Sequence, residues 1–344
     1  MTIRFSDSIK IRSKKEWNEI PQADPLPLRF QPGLKECSSG REVPDNLVGK
    51  TGMDSVLLYR SFLERAVETE RRVRQDRGIS PSPVLSHLHQ AIDKGLIRSL
   101  YETALTAPVE RPLPNHVLCV TFAVMKIGQG MGYEMANLIK LGLAAFFQNV
   151  GMYKVPLNLL CGHGKLEDKG LARAREYPKT SAQILKKLGS QYEWLATVAG
   201  QIQERRDGSG YPKGLSNGAI SETASLIGLV DTYLALIRKG PYRRELLPKD
   251  NFRFIFDHGE ALFSKPVQKA FLAHIELFPP LTYVRLNNKA LGRIVTVDKR
   301  FPLRPTIELL YDGQGERLEK GKTIRLSKHS ALHILAGIDG RVLS

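Results

Sequence analysis

Arg206-Asp207-Gly208-Ser209-Gly210-Tyr211-Pro212-Lys213-Gly214-Leu215 puts three glycines and a proline into ten residues. Such a string cannot continue a helix. It makes a tight loop in which backbone N–H groups can approach a ligand or a neighbouring segment. On both sides the apolar spacing is helical. Upstream lie Val117–Ile127, Glu134–Val150 and Leu166–Lys187, and downstream lies Ala219–Leu236. Few segments between His116 and Phe278 alternate with period two, so the loop is set in an all-α domain. Further upstream, Val56, Leu57, Phe62, Leu63, Ala66 and Val67 predict a helix over about 53–77, with Asp54 and Ser55 as candidate caps. A second helical run, Val84–Leu105, follows the break at Gly78–Pro83.

The pattern changes after Pro279-Pro280. Short runs around Thr282–Leu286, Leu291–Val295, Thr306–Tyr311, Thr323–Leu326 and His333–Ala336 are separated by the turn signals Asn287-Asn288 and Asp312-Gly313. They predict a small antiparallel β unit. The expected organisation is an N-terminal extension over 1–83 with at least one helix, a mainly α domain over 84–278, and a β subdomain over 279–344. Residues 1 to about 50 show no sustained period.

The 344 residues carry 51 Lys+Arg against 35 Asp+Glu, a formal net charge of +16. Residues 1–115 hold 18 basic and 15 acidic groups, whereas 279–344 hold 12 and 6, so the excess lies towards the C-terminal side. That balance favours encounter with anions but does not select a fold. No window reaches the length of apolar sequence that a membrane span needs. The N-terminus lacks a secretory apolar core. Cys37, Cys119 and Cys161 have unrelated spacings and do not form a disulfide framework. A cytoplasmic protein is expected.

Several motifs share one order along the chain. His116 precedes Leu143-Ala144-Ala145-Phe146-Phe147-Gln148-Asn149-Val150-Gly151, then the glycine-rich loop, then Leu229-Val230-Asp231-Thr232-Tyr233-Leu234-Ala235-Leu236 and Pro241-Tyr242-Arg243. Together they resemble the HD-GYP family, which hydrolyses the bacterial messenger cyclic di-GMP. The resemblance spans about residues 84–340 and implies an HD-type helical bundle. It also implies two or three iron-type ions held by imidazole and carboxylate ligands, which activate water against a phosphodiester.

Against that pattern this sequence departs at the ligands. Gln148-Asn149 stands where the family has its His-Asp pair, and Met152 replaces a lysine. Tyr177, Ile202 and Gln203 occupy further histidine positions. His116 and Asp231 remain as vestigial ligands, with Glu204 nearby. Neutral amides supply neither an anionic bridging oxygen nor an imidazole nitrogen, so no catalytic residue and no metal are expected. His87 and His89, at i and i+2, share no helix face and do not rebuild a site.

The loop remains whole. Asp207, Gly208, Gly210, Tyr211, Pro212 and Lys213, with Arg243, are the expected contacts to a ligand or partner. Arg205, Arg206, Arg238, Lys239 and Arg244 supply further charge. Arginine forks and an aromatic face suit a guanine-bearing dianion. The resemblance also implies contacts with diguanylate cyclase (GGDEF) domains through this loop. The expectation is therefore a non-catalytic signalling module that binds cyclic di-GMP or a partner protein. The alternative is a cyclic di-GMP phosphodiesterase with an altered site, using Fe or Mn. Nucleic acid is not expected as a ligand. A second copy of the chain is a candidate partner through the helix at 53–77.

Overall fold

In a computed structural model, residues 52–107, 111–156, 172, 174–237, 261–275, 283–298, 301 and 304–338 are described. Nine helices of eight or more residues precede five strands among them. We number the helices α1 Met53–Arg74, α2 Ser82–Asp93, α3 Ile97–Thr106, α4 Pro112–Gly130, α5 Met135–Phe147, α6 Tyr177–Lys186, α7 Glu193–Gln201, α8 Glu222–Ile237 and α9 Lys265–His274. The strands are β1 Tyr283–Leu286, β2 Leu291–Thr296, β3 Thr306–Tyr311, β4 Arg317–Arg325 and β5 Ile334–Ile338. The protein is mainly α with a small antiparallel sheet behind the helices.

α4 is the central element. Its run from Leu113 to Met125 is buried throughout, because α1, α3, α5, α8 and α9 pack around it. A helix that is apolar on all sides has to sit in the middle of a bundle. It begins at Pro112, which lacks the N–H that a first turn leaves unbonded. His116 therefore lies one turn inside the helix, not at its start. α1 belongs to the same core, since Phe62 is fully buried with its ring edge-on to Phe122 of α4 at 5.0 Å. Val84 of α2 lies in the same core cluster as Phe62.

Two expectations about local structure change. Neither Asp54 nor Ser55 caps α1. The N-cap is Gly52, and the Ser55 hydroxyl donates to the Gly52 carbonyl. The single run 84–105 is two helices, because Gly95 adopts φ +63 between them and turns the chain. The sheet agrees with the expected strands and has the order β4-β3-β2-β1-β5, every pair antiparallel. Val284, Leu286, Ile294, Ile307 and Leu309 fill its own smaller core, the buried half of each period-two pattern. Among the described residues no helix is long and apolar enough to cross a membrane. The expectations for residues 1–51, Cys161, Arg238, Lys239, Pro241, Tyr242, Arg243 and Arg244 lie outside the described residues.

Candidate functional site

Four elements bring the motif residues together. α4 supplies His116, the turn after α5 supplies Asn149, α6 supplies Tyr177, and α8 supplies Asp231. Gln203 joins them from the turn that follows α7. All five are buried. His116 Nε2 lies 2.8 Å from Asp231 Oδ1. Gln203 Nε2 donates to Asp231 Oδ2 at 3.0 Å and to the Tyr177 hydroxyl oxygen at 2.8 Å. Asn149 Nδ2 makes a longer contact, 3.4 Å, to Asp231 Oδ1. One carboxylate thus serves three surrounding side chains, as a buried charge must.

The orientation of Gln203 is fixed from behind. Its Oε1 accepts from Arg205 Nη2 at 3.0 Å, so the amide has to turn its nitrogen towards Asp231 and Tyr177. Arg205 is itself buried. It also donates to the Thr232 hydroxyl and to the carbonyls of Ile202 and Glu204, and its guanidinium lies 5.0 Å over the Phe263 ring. Burial lowers the Arg205 pKa from its ordinary value, partly offset by Tyr211 and Asp231. The residue is therefore internal scaffolding, not a cation free to receive a phosphate, as the sequence had suggested. Burial likewise pushes the Tyr177 hydroxyl well above its usual range, which keeps it protonated.

Some polar atoms here have no partner among the described residues. Both atoms of the Gln148 amide, Asn149 Oδ1 and His116 Nδ1 are buried and unbonded. No group of three or more His, Cys, Asp or Glu stands together as a metal-binding set among the described residues. Ile202 and Met152 are buried apolar side chains, fully part of the helical core.

The loop 206–215 rests on Glu204, whose role the sequence left open. Its buried carboxylate accepts from the backbone N–H of Lys213 and of Leu215, both at 2.8 Å. Gly210 is required at its position, because a Cβ there would fall against the Arg205 amide nitrogen and the Gln203 carbonyl. Tyr211-Pro212 is a cis peptide. Asp207 Oδ1 accepts from both the N–H and the hydroxyl of Ser209, closing an Asx turn. Partial burial raises the Asp207 pKa, but those hydrogen bonds outweigh it and hold the carboxyl below its ordinary value. Tyr211 is half-buried and edge-on to Tyr177 at 6.5 Å, with Arg175 5.7 Å over its other side. Lys213, Arg206 and Asp207 are exposed, and Gly208, Gly210 and Pro212 are partly so.

This arrangement of inward-facing helices, with polar residues from α4, α5 and α8 converging under a glycine-rich loop, accompanies a match of residues 96–260 to the family described as HD domain. The helical part is similar to HD domains. Behind it, residues 283–343 match the family described as KOW domain associated with HD domain, which covers the five strands. Curated relatives of the HD domain include the cyclic di-GMP phosphodiesterase PA4108 of Pseudomonas aeruginosa, 27% identical over 51% of this chain and 42% of that protein. Cyclic di-GMP phosphodiesterase PdeB of Borreliella burgdorferi is 24% identical over 63% of this chain and 55% of its own. The response regulator RpfG of Xanthomonas campestris, also named a cyclic di-GMP phosphodiesterase, is 31% identical over 33% of this chain and 30% of its own. The chain spans about half the length of the first two relatives. A solved structure, Bd1817, an HDG"Y"P protein from Bdellovibrio bacteriovorus, superposes with a TM-score of 0.48 at 17% identity over 66% of this chain and 73% of that one.

Proposed function

We propose that this HD domain acts in cyclic di-GMP signalling by binding and not by hydrolysis. The exposed face of loop 206–215 receives cyclic di-GMP or a partner such as a GGDEF-domain protein. The observation that carries this reading is the orientation of Gln203. Arg205 holds its acceptor oxygen, so it presents N–H donors to Asp231 and Tyr177. A metal ligand must turn a lone pair inwards, and a donor aimed at the same space opposes a cation. The remaining donor set is one imidazole and one carboxylate already bonded to each other. Such a set does not fit a centre of two or three octahedral ions, so we derive no metal-dependent step. The Lys213 ammonium and the half-buried face of Tyr211 are apt for a phosphate and a guanine.

The names of the relatives favour a second reading, a cyclic di-GMP phosphodiesterase with an altered site. One experiment separates the two. The full chain is purified, its Fe, Mn and Zn content is measured, and cyclic di-GMP is titrated calorimetrically and assayed for turnover with added Mn(II) or Fe(II). The binding reading expects well under one metal per chain, heat of binding at micromolar ligand, and no linear dinucleotide product. Stoichiometric metal with product formation establishes the phosphodiesterase instead. Absence of both heat and product leaves the loop face to a protein partner.

A further inference from the structure

The C-terminal sheet carries an open cleft of about 470 Å³, lined among others by Asp298, Phe301, Arg304, Arg325 and Lys328. That volume lies within the range of small-ligand sites. Among the described lining residues its charge is one-sided, since three cations face one carboxylate. Arg304 is pinned in place, donating to the carbonyls of Leu326, His329, Leu332 and Ser330, which fixes a positive charge at the cleft wall. Arg325 and Lys328 are exposed and enter no ion pair among the described residues. Their donors are therefore available to an anion. Phe301 is 45% exposed, so its ring is open to a ligand in the cleft. Hydroxyls of Thr296, Thr306 and Ser327 stand beside these groups.

We propose that this cleft binds a nucleotide-sized phosphate ester. Arg325 and Lys328 hold the phosphate, and the Phe301 ring stacks on the base. A guanidinium fork and an ammonium match a phosphate in charge and in hydrogen-bond donors. An exposed aromatic face offers a planar base the offset stacking that aromatic pairs favour. A simple inorganic anion would use the cations but not the ring. A volume of about 470 Å³ accommodates a single nucleotide.

The test uses the full chain, with GMP and ribose 5-phosphate as probes followed by calorimetry. GMP is expected to bind more tightly than ribose 5-phosphate. The double variant R325A/K328A, with both changes on exposed side chains, is expected to weaken both probes at least tenfold while its unfolding temperature stays unchanged. F301A is expected to weaken GMP and to leave ribose 5-phosphate as it was. The proposal is overturned by no GMP binding at millimolar concentration, or by equal GMP affinity in the double variant. It is also overturned if an oligothymidylate of about ten nucleotides binds and GMP does not displace it, which would give the cleft to a nucleic-acid strand.

Discussion

His116 on α4 and Asp231 on α8 are 115 residues apart in the chain and meet at 2.8 Å inside the helical core. Asp231 is the shared acceptor of the cluster, taking Gln203 on its second oxygen. Its removal leaves donors without partners in a region closed to water, which is the costly half of breaking a buried network. Asp231→Ala is expected to lower unfolding stability by about 3 kcal/mol in urea titration. Asp231→Asn, which keeps one acceptor oxygen, is expected to lose less. Equal stability of Asp231→Ala and the parent would mean that the cluster contributes nothing net.

Glu204 ties loop 206–215 to the domain through two backbone amides. Glu204→Ala is expected to cost about 1–3 kcal/mol and to expose the loop to trypsin at Arg206 and Lys213. Limited proteolysis of the two proteins, compared by fragment mass, gives the answer. Unchanged cleavage kinetics would show that the loop is held elsewhere.

A methyl group at Gly210 has nowhere to go, since the atoms it meets are backbone and not the ends of flexible side chains. Gly210→Ala is expected to destabilise by about 1–3 kcal/mol. The control is Gly218→Ala, where nothing lies within 4 Å of the new Cβ and φ is ordinary. Thermal unfolding of both variants should separate them clearly.

On the binding reading, placing the family's His-Asp pair at 148 and 149 is not by itself expected to give chemistry. In Gln148→His with Asn149→Asp, Tyr177 and Ile202 still bring no ligand nitrogen, and Gln203 still points its donor inwards. Metal content and cyclic di-GMP turnover should remain at background. Recovery of both by this pair would overturn the ligand count.

His87 packs at 5.3 Å from the Phe62 ring, with a buried Nδ1 that has no partner. Desolvation lowers its pKa from the ordinary 6.5, and the Arg65 charge adds to that, with Glu64 opposing. The folded state therefore prefers the neutral ring, and the unfolded state binds more protons between the two pKa values. This contribution to stability is complete above about pH 6.5 and is lost as pH falls through the lowered value. Urea midpoints measured at pH 7.5 and 5.5 should differ more in the parent than in His87→Gln. An identical pH response would remove His87 as a cause.

Much of the architecture was legible from local pattern. Helical spacing marks α4, α5 and α8, period-two runs mark the five strands, and the turn at Asn287-Asn288 falls between β1 and β2. Local rules failed where a backbone detail decided. Gly95 splits one apparent helix into two, and the expected caps of α1 are bypassed in favour of Gly52. These are conformational choices that a residue type permits but does not impose.

For the site, the sequence by itself determined which chemical groups are available: amides at 148, 149 and 203, a phenol at 177, and one imidazole and one carboxylate at 116 and 231. At these positions ligand atoms are few. Only the tertiary structure decided which way those groups point. Arg205 looked like a surface cation beside the loop, yet packing puts it inside, where its guanidinium needs acceptors and takes the Gln203 oxygen. That contact aims a hydrogen-bond donor, not a lone pair, at Asp231. The reason is physical, because the orientation of an amide depends on partners brought from distant parts of the chain, and no sequence spacing records it.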